Sequence, residues 1–244
     1  MKVIDANGIH YQQLNALIKQ TAASGEDDIR VLNVRGQRYI GDGMRGDATI
    51  TVEGVPGNDM AAFMDGPTIV VKGNAQDAVG NTMNEGKVMI HGHAGDTVGY
   101  AMRGGTIFIR DDVGYRVGIH MKEYEDKVPA IVIGGKAGDF FGEYMAGGIL
   151  ILLGMGLYPD EPIVGNYCGT GMHGGVIYIR GQVDKYRLGK EADVRPIDDK
   201  DQKVLGMYVE QFADHFGYDA EDILSGTFTK LIPFGKRPYG KLYS

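Results

Sequence analysis

The sequence predicts an all-β protein whose main body is a parallel β-helix, and three observations carry that reading. Methionine recurs at a fixed interval: Met64, Met83, Met102 and Met121 stand 19 positions apart, and Met44, Met145 and Met172 extend the series at intervals of 20, 24 and 27. An alternating apolar pair follows the anchors, as Ile69 and Val71, Val88 and Ile90, Ile107 and Ile109, Ile131 and Ile133, Leu150 and Leu152, Ile177 and Ile179. Glycine supplies 39 of the 244 residues, without a collagen period. Alternation at period two, closed by glycine on both sides, reads as short strands with one buried face. A 19-residue unit of two or three such strands cannot bury that face alone, whereas stacked units bury a continuous column. With coils about 4.8 Å apart, seven anchors predict about seven coils in a cylinder on the order of 30 Å long. A β-propeller is excluded because its blades repeat at roughly 40 to 50 residues.

Taken in order, residues 1–35 read as an N-terminal cap. His10 to Ala23 places Leu14, Leu17 and Ile18 at helical spacing, Gly25 ends that helix, and Ile29 to Val34 follows as a strand. Residues 36–183 form the solenoid. Its three longer intervals are 19 plus one residue near Gly54 to Met60, five within Lys122 to Pro129 and eight within Leu157 to Tyr167. Glycine stands three positions before the anchor in most coils, as at Gly80, Gly99, Gly118 and Gly142, and supplies corners where a Cβ has no room. Residues 184–244 read as a charged linker and a helical tail. Val204 to Phe216 carries Leu205, Tyr208, Val209, Phe212 and Phe216 on one stripe, and Asp219 to Leu224 starts a further short helix. The tail ends aromatic and basic, with Phe234, Tyr239 and Tyr243 among Lys and Arg, and is the expected extra contact surface. Both flanks serve as caps, because an open coil is an unpaired edge.

Composition narrows the function. A net charge of −7 with no long Lys/Arg cluster argues against nucleic acid and anionic membrane as partners. The longest apolar run, Ile149 to Leu153, is too short to span a bilayer, and no signal peptide opens the chain. Cys168 is the single cysteine, which excludes an internal disulfide and a cysteine-rich cluster site and fits a cytoplasmic setting.

The motifs that suggest chemistry each have a plainer source. Gly41-Asp-Gly-Met-Arg-Gly46 matches a dinucleotide fingerprint, but Gly169-Thr-Gly-Met-His-Gly174 repeats it in the same phase and neither opens a βαβ unit. His91 and His93 alternate along a strand and could begin a metal site, yet His91, His120 and His173 fall at different phases and supply no third ligand. Asp77, Asp96 and Asp139 share one phase and should stack as a polar ladder that caps a turn, or as a carboxylate row for sugar chemistry. The pairs Asp111–Asp112 and Asp198–Asp199 read as solvated loops. Cys168 has no evident base partner. No catalytic, cofactor-binding or metal residue is therefore assigned.

Two strings, Gly142-Glu-Tyr-Met-Ala-Gly-Gly-Ile-Leu-Ile-Leu-Leu-Gly and Gly169-Thr-Gly-Met-His-Gly-Gly-Val-Ile-Tyr-Ile-Arg-Gly, resemble the C-terminal GXGXG β-helix domain of the glutamate synthase large subunit, here as a free-standing protein. The resemblance covers about Ile29 to Gly181, and the pattern also looks like the C subunit of formylmethanofuran dehydrogenase. It implies a right-handed β-helix acting as a non-catalytic structural subunit of a split glutamate-synthase-like complex. Glutamine amidotransferase-like and FMN-dependent synthase-like partner chains would carry the chemistry of glutamate biosynthesis, with FMN and the iron-sulfur cluster on those partners. A formylmethanofuran-dehydrogenase-like scaffold and an autonomous carbohydrate- or ligand-binding β-helix are the alternatives, with a second copy of the chain a further candidate partner. The chain lacks the N-terminal nucleophilic cysteine, the cluster cysteines and the FMN barrel of glutamate synthase, and has no contiguous G-x-G-x-G string.

Overall fold

A computed structural model describes residues 1–158 and 160–235. Each apolar pair lies in a strand. The described elements are β1 (Lys2–Asp5), α1 (Tyr11–Ala23), β2 (Asp28–Arg35), β3 (Thr49–Val55), β4 (Asp65–Val71), β5 (Glu85–Ile90), β6 (Thr106–Ile109), β7 (Ala130–Ile133), β8 (Ala146–Leu152), β9 (Gly174–Arg180), a 3-10 turn (Lys185–Arg187), β10 (Ala192–Arg195), α2 (Asp199–Phe216), α3 (Ala220–Leu224) and β11 (Phe228–Pro233). They form one sheet in the order β1 through β9, then β11 and β10. Strands β1 to β9 pair in parallel, one coil to the next. This is a β-solenoid of about six turns, bounded by the seven methionine anchors.

The register is the one the apolar pairs require. Ile50, Ile69, Val88, Ile107, Ile131, Leu150 and Ile177 stack in one column, and Val52, Val71, Ile90, Ile109, Ile133, Leu152 and Ile179 in the next. All are fully buried, as are Met64, Met83, Met102, Met121 and Met145 on the opposite side of the lumen. In place of two or three strands per coil, each coil holds one regular strand. The remainder is turns and isolated bridges such as Ala94 to Val113 and Ala137 to Val164. Left-handed backbone recurs in those segments and cannot join a β-ladder.

The ends are closed by different means. At the N-terminus Leu14 and Ile18 of α1 enter the core while Leu17 lies on the exposed side, and β1, which pattern reading missed, pairs with β2. At the C-terminus β11 runs antiparallel to β9 and β10 antiparallel to β11. Helix α2 lies along the outer face of the sheet, where Leu205, Tyr208, Val209 and Phe212 form a second core with Phe108, Val132, Ile151 and Tyr178. It starts earlier than the apolar stripe indicates because Asp198 and Asp201 form a reciprocal capping box, so Asp198 is a cap and not a solvated loop residue. Tyr239 and Tyr243 of the tail lie outside the described residues.

Candidate functional site

The aspartate row is a backbone device. Asp77 Oδ1 accepts the N–H of Asp96 at 2.9 Å, Asp96 Oδ1 that of Tyr115 at 2.8 Å, and Asp139 Oδ1 that of Asn166 at 2.7 Å. Each carboxylate thus bonds one coil onward, and a Cβ built on Gly95, Gly114 or Gly165 would overlap it. A second ladder runs beside it: Asn74 Oδ1 accepts the N–H of His93, His93 Nδ1 that of Asp112, and Asp112 Oδ1 that of Lys136, at 3.0, 3.2 and 3.0 Å. Asp112 is therefore a rung, and Asp111 is gripped by Arg110 at 2.8 Å, whose guanidinium lowers its pKa; neither is a free loop carboxylate. Sequence reading missed this ladder because its members share acceptor atoms but not residue type.

The two histidines proposed to share a face do not meet. Strand β5 ends at Ile90. His91 accepts from Lys72 Nζ at 3.1 Å and packs edge-on to Phe216 of α2, while His93 is the rung just described. His215 lies against Phe108 under α2. Burial lowers the pKa of His91 and of His215, and Lys72 and Lys87 respectively add to it. Among the described residues no group of three or more His, Cys, Asp or Glu is placed to hold a metal ion. Cys168 is fully buried in the column that also holds Val98, Val117 and Phe141, and burial pushes its thiol up to about 12. A lone buried cysteine does not fit a cluster-binding set. Asp201 is also buried and takes Tyr178 Oη–H and Lys230 Nζ, each at 2.6 Å. Burial acts to raise its pKa, and these two donors outweigh it, so the pKa stays lowered. That network ties α2 to β9 and β11.

One wall of the solenoid remains, opposite the strands. In every coil the residues five, three and one before the methionine have φ between 50° and 78°, as in Thr97–Gly99–Ala101, Arg116–Gly118–His120 and Phe140–Gly142–Tyr144. Backbone bonds from Tyr100 N–H to Thr97 and from Met102 N–H to Gly99, both 3.1 Å, close two overlapping turns in which, of the two central residues, only the second has positive φ, the type II pattern. The outer two left-handed residues donate to the next coil, as His120 does to Glu143 at 3.1 Å, and the central one donates to the previous coil, as Gly118 does to Val98 at 2.8 Å. The central residue is glycine in six of the seven coils, Ala61 being the exception, and in most of those six a Cβ would strike the strand column across the lumen: Gly99 faces Ile131 and Gly142 faces Ile177. The dinucleotide-like strings fall here, with Gly41 and Gly43, and Gly169 and Gly171, at these left-handed positions.

The outer two positions are seldom glycine. A non-glycine residue in left-handed backbone costs roughly 1–2 kcal/mol, and in the last three coils the residues bearing that cost are large and outward-facing. His120 stacks on Tyr144 (5.5 Å between ring centroids, 10° apart), Phe140 stacks on Tyr167 (5.1 Å, 14°), and the Arg116 guanidinium lies 4.7 Å from the Phe140 ring centre. Tyr144 is 49% exposed and Tyr167 56%. Arg116 also pairs with Glu143 at 3.0 Å. This aromatic and cationic row is the candidate functional surface. Sequence reading missed it, although enrichment of aromatics one and five positions before Met121, Met145 and Met172 is the signal that marks it.

Comparison with known proteins gives three findings. The chain matches the GXGXG motif family over residues 29–234, past the Gly181 at which the resemblance in the repeats stops. It is 49% identical over 250 aligned positions to the uncharacterized protein MJ1350 of Methanocaldococcus jannaschii, covering 99% of this chain and 96% of that one. Its fold is similar, at a TM-score of 0.62 and 21% identity, to a chain in the crystal structure of the formyltransferase/hydrolase complex FhcABCD from Methylorubrum extorquens with methylofuran, covering 93% of this chain and 89% of that one.

Proposed function

Because the chain belongs to the GXGXG motif family, we propose that it is a non-catalytic scaffold subunit of a multi-subunit enzyme of the glutamate synthase kind. Glutamine amidotransferase-like and FMN-dependent synthase-like chains would dock on the solenoid and carry the FMN, the iron-sulfur cluster and the transfer of ammonia to 2-oxoglutarate. The observation that carries this reading is the turn wall: its backbone hydrogen bonds are made within the solenoid, yet it holds strained, exposed aromatic residues that give the core nothing. Large exposed aromatics of this kind serve association. The aspartate row supports the same reading, since one oxygen of each carboxylate is spent on backbone and the row is poorly suited to acid–base work on a sugar.

A second reading is a scaffold in a formylmethanofuran-dehydrogenase-like assembly, favoured by the likeness to a chain of the FhcABCD structure. Gentle affinity purification of the tagged chain from its native host, with mass spectrometry and a visible spectrum of the eluate, decides between them. Flavin and iron-sulfur absorption with amidotransferase and synthase chains is the expected result. Companions that carry molybdenum or tungsten would favour the second reading. A colourless eluate without companions would sink both.

A further inference from the structure

We infer that helix α2 is a strap with an acid-labile latch: protons taken up under its C-terminal end free the half beyond Gly206 from the sheet, while its N-terminal end stays tied. The device lies wholly within this chain and holds whichever companions it recruits. At the C-terminal end the contact is made by two histidines. His215 of α2 lies against the Phe108 ring of β6, 5.1 Å between centroids, and its Nε2 is buried with no hydrogen-bond partner among the described residues. His91, one residue past β5, stands edge-on to Phe216 at 5.0 Å, and its Nε2 faces Lys72 Nζ at 3.1 Å. An ammonium has only protons to offer, so that nitrogen presents its lone pair. Charging either ring is opposed where it stands. On His215 the new cation has no acceptor, and on His91 it expels the Lys72 ammonium.

The surrounding charges set the sign. Lys72 and Arg110 face His91, Lys87 faces His215, and each histidine lies in the field of the other. Asp111 is occupied by Arg110, with Tyr218 a further titratable group beside that guanidinium. Asp214, exposed on α2 itself, and the carbonyl end of the helix favour a proton on His215. Burial and Lys87 outweigh them, so the His215 pKa lies below its ordinary value, as that of His91 does through burial, Lys72 and Arg110. Both rings are therefore neutral in the closed helix and take a proton more readily once it lifts. Above about pH 6.5, the ordinary value for an imidazole, the two forms differ little. Below it the lifted form binds more protons and gains population as pH falls, until the closed form protonates as well.

The other end answers in a lower range. Asp201 accepts from Tyr178 Oη–H and Lys230 Nζ, and against burial these donors hold its pKa low. That tie stays intact above about pH 4, the ordinary carboxylate value. Gly206 lies between the two ends, and a Cβ there would meet nothing nearer than Glu210 Oε1 at 3.9 Å. Packing does not require glycine at that position, and in a helix interior it weakens the turn at which the strap bends. Lifting the half beyond it bares Phe108 and Val132 of the sheet together with Val209 and Phe212 of the helix.

Hydrogen exchange of the full chain, read by mass spectrometry at about pH 7 and about pH 5.5 and corrected for the intrinsic pH dependence of amide exchange, measures the opening of each half. Opening of Val209–Phe216 should rise by up to about tenfold for each histidine, while Asp201–Leu205 and strands β7 to β9 keep their protection. The double variant His91→Gln with His215→Gln should lose that rise. The reading is the change between two pH values, so a variant that is looser at both still decides. Equal opening of Val209–Phe216 at both pH values in the wild type would overturn the latch, and so would a rise that the double variant keeps. A rise shared by Asp201–Leu205 would show the helix leaving as one piece, and the tied end would fall.

Discussion

The solenoid has two walls that stack the same number of coils by different means. On the strand wall, β3 to β9 point Ile, Val and Leu into the lumen, and from β6 to β9 the outer face is buried too, against α2. On the turn wall the inward positions are Met, Val, Ile, Phe, Cys, Ala and Gly, while the outward positions range over Gly, Asp, Ala, Thr, Arg, His, Phe and Tyr. Strand side chains are chosen by packing on one or both faces. Turn side chains are chosen by packing on the inner face only, because the backbone satisfies its own hydrogen bonds whichever residue faces outward. What stands on the outer turn positions therefore reports on use and not on folding, and the left-handed strain makes the presence of Tyr144 or Tyr167 costlier than glycine at that position.

The sharpest way to break this contrast is in the strand column. Ile131→Ala removes a fully buried side chain whose tip fills the space under Gly99. The void borders both walls, and close packing along the column limits how far it can collapse. A loss of about 2–5 kcal/mol is expected in denaturant unfolding. A loss below about 1 kcal/mol would show that the column is loosely packed and that the two walls do not differ as argued.

An intermediate effect separates steric from conformational roles of glycine. Gly114 does not have positive φ, so its backbone admits alanine, yet a Cβ there would overlap the Asp96 carboxylate. Gly114→Ala should dislodge that rung from the Tyr115 N–H and cost roughly 1–3 kcal/mol. In the double variant with Asp96→Ala the overlap is gone, so alanine at 114 should cost less there than alone. Strict additivity of the two changes would show that the ladder does not impose the glycine.

How much of this was legible in the sequence follows from the same division. The methionine anchors, the apolar pairs and the insertions are legible because inward positions repeat the same kind of residue coil after coil. The stripe of α2 is legible for the same reason, since one face of the helix is buried. The turn wall is not: positive φ at Thr97, Arg116 or His120 has no residue signature, and only the central glycine betrays it. The second ladder is hidden because Asn74, His93 and Asp112 do one job with three residue types. Burial of Asp201 depends on Tyr178 and Lys230, which are distant in sequence, and a charged residue in a helix's first turn gives no hint of it. Strands β1, β10 and β11 are short, at 4, 4 and 6 residues, and sit in mixed sequence where alternation is too brief to read.

The smallest expected effect is the most telling. Tyr144→Gly relieves a left-handed residue at φ 50°, worth roughly 1–2 kcal/mol. Against that stand the His120 stack, worth about 0.5–1.5 kcal/mol, and the extra freedom that glycine gives the unfolded chain, about 0.5–1 kcal/mol. The terms nearly cancel, so unfolding should shift by less than about 1 kcal/mol in either direction. Companion retention should nevertheless fall, because an exposed ring of the docking row is gone. A stability loss like that of Ile131→Ala would mean that the ring supports the fold, and the outward turn positions would then carry no information about partners. Unchanged stability with weakened retention is the pattern that only a surface kept for association produces.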